Sequence, residues 1–424
     1  MAAAHDHSPA PVDRHPAALV EDAAARLVGI AARTPLERSE RLSALVGGEV
    51  FVKREDLQPV RSYKLRGAYN LMSQLRDTAA GVVCASAGNH AQGVAYACAA
   101  LHVRGRVYLP RTTPRQKRAR IAAIGGPWVD VIIEGDAYDD AHAAAAADAR
   151  ASGATLVPAF DDPRTIAGQG TVAPEIVAQL GRAPDHVVVP VGGGGLLAGV
   201  ASWLGERRPE VVLTGVEPEG AASMTAALAA GGPVALDELD PFVDGAAVRR
   251  VGDATFPVVR DAGARIVSVQ TGRVCVEMLA LYQTDGIIAE PAGALATAAL
   301  GTEVVPEPGA TTVCILSGGN NDVSRYSEIL ERALIFEGLK HYFLVDFPQE
   351  PGMLRRFLDD VLGPDDDITL FEYVKRNNRE TGPALVGIEI GRPEDLTALT
   401  ARMDASPMHI ERVDPGGPLF RFLL

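Results

Sequence analysis

The chain reads as α/β: two doubly wound lobes with largely parallel sheets, followed by a small domain of ferredoxin-like βαββαβ order. Three observations predict this. Short apolar runs alternate with longer amphipathic ones as far as about Arg332. Beyond Arg332 the order of runs changes. The small and polar residues gather in the loops that follow the apolar runs, which is where doubly wound sheets bind ligands.

Residues 1–18, rich in histidine and proline, read as a disordered leader because nothing there could bury a core. Leu19 to Leu45 carries a helical pattern broken at Thr34-Pro35. Val50 to Lys53 is strand-like. After the turn-prone Gln58 and Pro59, Lys64 starts a segment with Ala68, Leu71, Met72 and Leu75 on one helical face. Strand and helix then alternate: Val82 to Ala85 with His90 to Leu101, Arg106 to Leu109 with Pro114 to Ile124, Val129 to Ile133 with Asp139 to Ala151, and Thr155 to Pro158 with Val172 to Leu180. Further strands are expected at His186 to Pro190, Val211 to Val216, Arg265 to Val269 and Thr311 to Leu316. These fill a first region over residues 19–335.

Residues 336–424 are expected to form the second domain, with its boundary near Phe336 to Leu339. Strand His341 to Phe347 leads through the turn Pro348 to Gly352 into helix Met353 to Leu362. Strands Ile368 to Lys375 and Pro383 to Ile390, helix Pro393 to Met403 and strand Leu419 to Leu424 complete the order.

Composition narrows the function. A net charge of −14 argues against a nucleic-acid or anionic-membrane partner, and the basic run Pro114 to Arg120 reads as the solvated face of a short helix. Cys84, Cys98, Cys275 and Cys314 lie far apart, each in an apolar run, as buried reduced thiols of a cytoplasmic protein do. No stretch has the roughly 20 apolar residues that a membrane span needs.

Four loops carry chemistry. Gly192 to Gly195 joins an apolar strand to the helical run Leu196 to Leu204, so its N–H groups can converge at a helix N-terminus and hold a phosphate without a basic side chain. It is neither a Walker loop nor a GxGxxG fingerprint. Ser86 to His90, SAGNH, places small residues, Asn89 and a helix start where a carboxylate could bind; His90 is left without a role. Ser317 to Asn321, SGGNN, puts a hydroxyl at the end of a strand, within the competence of a turn cap or of a partner for a heterocyclic nitrogen. Lys64, in RSYKLRGAYN, would present a neutral amine if held out of water near Arg61 and Arg66, and such an amine forms a Schiff base with a carbonyl.

In this order the motifs resemble the fold-type II (tryptophan synthase β-like) pyridoxal-phosphate enzymes. The wording SYKLRGAY, SAGNHAQGVA, AGQGT at Ala167 to Thr171, GGGGL and EPAGA at Glu290 to Ala294 is similar to threonine dehydratase. The resemblance spans about Val28 to Glu337. PQEPGML at Pro348 to Leu354 resembles the opening of an ACT-like regulatory domain, of which the chain has room for one. The resemblance implies pyridoxal 5'-phosphate as cofactor, Lys64 as Schiff-base lysine and Cα proton acceptor, and Asn89 facing the ring hydroxyl. It further implies Gly192, Gly193, Gly194, Gly195 and Leu196 as phosphate cup, and Ser317 at the ring nitrogen. Ser86, Gly88 and Asn89 would grip the substrate carboxylate, and Glu290 would lie near the site or bind a monovalent cation. The implied reaction is deamination of L-threonine to 2-oxobutanoate and ammonia, under feedback by L-isoleucine, in a homotetramer. Serine dehydratase or serine racemase is the rival within the fold, since one methyl group separates the substrates. A non-catalytic amino-acid sensor is the rival from another class.

Overall fold

The apolar runs become sheet strands because they are long enough to pair and are buried on both faces. The structure, a computed structural model, describes residues 16–374, 380–415, 417, 419, 420 and 423. It divides into two compact units, 1–321 and 322–424.

In the first unit a six-stranded sheet runs in the order Leu36–Arg38, Glu49–Arg54, Thr311–Leu316, His186–Pro190, Val212–Pro218, Arg265–Val269. All neighbours are parallel except the first pair. A second, wholly parallel sheet runs Val129–Ile133, Gly105–Leu109, Val82–Ala85, Thr155–Leu156. Central residues such as Val188, Val313 and Cys314 are shut off from water on both faces, hence the unbroken apolar runs. The four cysteines are free and buried.

Helices Lys64–Met72, Pro163–Gly170 and Gly195–Arg207 meet backbone to backbone. A Cβ on Gly168 would lie 2.6 Å from the Arg66 carbonyl oxygen, and one on Gly170 would lie 2.4 Å from that of Gly199. The AGQGT segment is therefore the close contact that sets the lysine helix against the helix after the glycine loop. Beneath it lies a buried ion cluster: Arg66 pairs with Glu55 and Glu175, and Lys53 Nζ sits 2.7 Å from Glu175.

Several expectations are corrected. The helical pattern of Leu19 to Leu45 is two helices, Pro16–Arg26 and Glu40–Val46, around the strand Leu36–Arg38, which exists through long-range pairing with Phe51 to Lys53. Of the expected leader, residues 1–15 lie outside the described residues, and Pro16 to Ala18 open the first helix, with Ala17 fully buried. Pro163–Gly170, unassigned from sequence, is a helix.

In the second unit an antiparallel sheet runs Asp367–Tyr373, Thr381–Glu389, Lys340–Pro348, His409–Arg412. Helices Met353–Asp360 and Asp395–Ala405 cover one face, burying Phe343, Val345, Phe357, Val386, Ile388 and Leu399. The expected ferredoxin-like order is present, with one change. Its last strand is His409–Arg412, paired with Phe343 to Asp346, while Leu419 and Phe420 sit in a 3-10 turn and Arg421, Phe422 and Leu424 lie outside the described residues. Helix Tyr326–Phe336, just ahead of the expected boundary, belongs to this unit, where its Glu331 holds both Lys340 and Tyr342. A cavity of about 330 Å³ opens between Pro348 to Leu354 and the rings of Phe347, Phe371 and Tyr373.

Candidate active site

Strands Glu49–Arg54, Thr311–Leu316 and His186–Pro190 are neighbours in the large sheet, so the loops at their carboxyl ends converge. These loops lead to Lys64, Ser317 and Gly192 to Gly195. The first two are joined directly: the Tyr63 N–H donates to the Ser317 carbonyl at 3.2 Å, and the Gly319 N–H to that of Arg61 at 3.0 Å. Arg61 takes a left-handed conformation, φ +56°, to make this turn, a local strain held by its surroundings.

Lys64 is half-buried. Its Nζ donates to the Ala159 carbonyl at 3.4 Å and lies 5.2 Å from the centre of the Tyr63 ring. Arg66, expected beside this amine, turns to Glu55 instead. The next residue after Ala159 forms the wall of the glycine loop. A Cβ on Gly193 would come within 2.3 Å of the Phe160 ring, and Gly194 has φ +90°, so neither position accepts a side chain without movement. Thr255 Oγ1 donates to the Gly193 carbonyl at 2.7 Å and steadies the turn. Helix Gly195–Arg207 starts there, with the first-turn N–H groups of Gly195 and Leu196 at its open end; the Leu196 side chain itself faces the core.

Ser317 is 3% exposed, and its Oγ donates to the Ala292 carbonyl at 3.3 Å. Ser86 to Asn89 are half-buried at the start of helix Asn89–Leu101, with Ser86 Oγ accepting from the Gly88 N–H at 3.3 Å. Asn89 reaches the Ser317 loop: its Nδ2 donates to Glu290 at 2.6 Å, and its Oδ1 accepts from Asn320 Nδ2 at 2.6 Å. His90 points elsewhere, to the Val157 carbonyl at 2.8 Å, and burial pushes its pKa down to about 4, so it is a neutral structural group. Glu290 accepts from Asn89 and from the Asn320 backbone N–H, and no cluster of three or more acidic, histidine or cysteine residues able to hold a metal exists among the described residues.

The residues picked from sequence thus gather in one place. Sequence reasoning missed Ala159, Phe160 and Thr255. The first two follow strand Thr155–Leu156, so their position at a strand's carboxyl end was the available signal; Thr255 lies far along the chain and gave none.

Residues 29–318 match the pyridoxal-phosphate dependent enzyme family, and residues 331–423 match the C-terminal regulatory domain of threonine dehydratase. Paired parallel sheets, a glycine cradle at a helix N-terminus and a lysine opening the facing helix define the fold-type II class of those enzymes. Within that class the chain is 62% identical over 409 residues to L-threonine dehydratase biosynthetic IlvA of Mycobacterium tuberculosis (strain ATCC 25618 / H37Rv), covering 96% of this chain and 95% of that one. The processed threonine deaminase isoform 2 of Solanum lycopersicum superposes with a TM-score of 0.72 at 39% identity, over 76% of this chain and 94% of that chain. Maize serine racemase superposes with a TM-score of 0.69 at 30% identity, over 76% of this chain and 98% of that chain. The chain belongs to the biosynthetic threonine dehydratase family and depends on pyridoxal phosphate.

The residues present fit that cofactor. Cβ atoms at Gly193 to Gly195 would run into Phe160 and Met224, so only glycine lets the loop pack there, with the helix-start N–H groups uncovered by side chains and suited to a phosphate. No helix of the described residues is long and apolar enough to cross a membrane.

Proposed function

We propose that this chain converts L-threonine to 2-oxobutanoate and ammonia, with Lys64 as the working base. The observation that carries this reading is the joining of the Lys64 turn to the Ser317 loop, with Ala159 and Phe160 linking the lysine to the glycine cradle. Bound pyridoxal phosphate supplies the electron sink for the charge left at Cα. Gly192 to Gly195 and the N–H of Leu196 would hold its phosphate, Asn89 would face its ring hydroxyl, and Ser317 Oγ would meet its ring nitrogen. Ser86, Gly88 and Asn89 orient the substrate carboxylate at the helix start. Lys64 Nζ would be the attachment point for the cofactor, and its amine would accept the Cα proton of the substrate. The hydroxyl on Cβ leaves with a proton as water, and the enamine that remains, once released, tautomerises and is hydrolysed by a second water to 2-oxobutanoate and ammonia.

The C-terminal unit is read as the sensor of the pathway end product, L-isoleucine, and the cavity between Pro348 to Leu354 and Phe371 is where an aliphatic amino acid would fit. A cytoplasmic homotetramer is the accompanying expectation, and sedimentation would test its size. Serine dehydratase or racemase activity is the rival, and an inactive sensor is the other. Keto-acid release from L-threonine and L-serine, with and without isoleucine, decides among them: no turnover of threonine would overturn the proposal. A Lys64→Ala variant that still forms 2-oxobutanoate would remove the lysine from it.

A further inference from the structure

Glu290 is a buried carboxylate that hydrogen-bonds directly to the candidate site, and the proposed reaction does not use it. It is 5% exposed and precedes helix Pro291–Ala298, with its side chain making no capping hydrogen bond to that helix. Its two oxygens are spoken for by different donors: Oε1 takes Asn89 Nδ2 at 2.6 Å, and Oε2 takes the Asn320 backbone N–H at 3.2 Å. Asn320 closes the ring by donating from Nδ2 to Asn89 Oδ1 at 2.6 Å and to the Val60 carbonyl at 2.9 Å. Backbone crowds the carboxylate, since a Cβ on Gly318 would lie 2.4 Å from Oε1.

An asparagine amide can sit either way round. A carboxylate only accepts, so the nitrogen end of Asn89 must face Glu290, and the oxygen end must face the Asn320 donor. One Nδ2 hydrogen is used and the other is left to present. We propose that Glu290 is a positioning residue that fixes the Asn89 amide with an N–H, rather than its carbonyl, turned toward the cofactor's ring oxygen. This rests on the reading of Asn89 as a cofactor contact. A protonated Glu290 would reverse the logic, because its O–H could donate to Asn89 Oδ1 and release the amide. The groups bearing on that proton are Asp244, which favours uptake, and Lys117, which opposes it and is itself paired with Asp244 at 3.1 Å.

The test measures the dissociation constant of pyridoxal phosphate by fluorescence titration of the full-length protein, from pH 6 to pH 8. Glu290→Gln is expected to weaken binding roughly tenfold at pH 8, the effect of losing a charge-assisted hydrogen bond. It should also flatten the rise in dissociation constant expected of the wild type toward pH 6. Asn89→Ala, measured beside it, separates the two readings. If both variants bind weakly, the proposal stands. If only Asn89→Ala does, Glu290 has no positioning role while the cofactor contact survives. If Asn89→Ala binds as the wild type does, the contact itself is wrong and the proposal falls with it. Should Glu290→Gln not fold, Asn320→Ala carries the same test by removing the donor to Asn89 Oδ1: weakened binding supports the ring of contacts, and unchanged binding overturns it.

Discussion

Arg66 and Glu55 exchange two hydrogen bonds, Nε to Oε2 and Nη2 to Oε1, each 2.8 Å long and both closed off from water. Burial works against the guanidinium charge, but Glu55 and Glu175 outweigh it and keep Arg66 ionised. Arg66 lies in the first turn of the helix that Lys64 opens, and Glu55 opens the short 3-10 turn Glu55–Leu57 ahead of it. Removing one partner strands the other charge, so Arg66→Met should cost about 3–5 kcal/mol. Urea unfolding followed by circular dichroism measures this, and a loss below about 1 kcal/mol would mean that the ion cluster contributes little.

The cradle makes a steric prediction. Gly193→Ala drives a methyl group toward the Phe160 ring, a clash whose relief costs about 1–3 kcal/mol. Cofactor binding should weaken by roughly 10- to 100-fold as the loop shifts. The double variant Gly193→Ala, Phe160→Ala should regain part of that affinity in a spectrophotometric titration. If it regains none, Phe160 is not what forbids a side chain there.

What was legible in the sequence was what is local. Val82–Ala85, Val129–Ile133, His186–Pro190, Arg265–Val269 and Thr311–Leu316 fall where their apolar runs end, because each run is bounded by turn residues and buried throughout or in part. Leu36–Arg38 has no such run and exists only through its partner strand. Pro163–Gly170 holds two glycines that disfavour a helix locally, and the close packing at Gly168 and Gly170 outweighs that preference. The same division holds at the site. Lys64, Gly192 to Gly195 and Asn89 stand in contiguous motifs, whereas Thr255 and the Glu290 to Asn89 bond join segments far apart in the chain.

If Ser317 meets the cofactor's ring nitrogen as proposed, it would set which products leave the site. A neutral hydroxyl there would keep the electron sink weak, so that negative charge at Cα would not persist and elimination would dominate. Ser317→Asp would hold that nitrogen protonated. Racemised substrate and pyridoxamine should then rise relative to 2-oxobutanoate, by chiral chromatography of the reaction mixture. An unchanged product ratio would remove Ser317 from the control of the reaction.

The cavity of the C-terminal unit gives a test of feedback in the full chain. Phe371 lines it at the sheet edge, 5.9 Å ring to ring from Phe347, and is 36% exposed, so a polar replacement there should fold. Phe371→Asp places a carboxylate against an aliphatic ligand. The isoleucine concentration for half-maximal inhibition should rise at least about tenfold, with activity in its absence unchanged. Unaltered inhibition would move the effector site elsewhere.

Glu290 also predicts a pH dependence of stability. Burial first, and the nearby Asp244 second, raise its pKa from the ordinary 4.5 to about 7. Between those values the folded protein holds a proton that the unfolded chain has released, so stability falls as pH rises through the window. The contribution is complete below about 4.5 and gone above about 7. Buried His90 and His186, both depressed to about 4, act in the opposite sense, losing stability as pH falls below the ordinary 6.5. They are common to wild type and variant and cancel in the difference. Relative to Glu290→Gln, the wild type should therefore lose on the order of 3 kcal/mol between pH 4.5 and pH 8. Parallel urea unfolding of the two proteins across that range measures it. A constant difference would mean that Glu290 is ionised throughout, held so by Asn89 and the Asn320 N–H despite its burial.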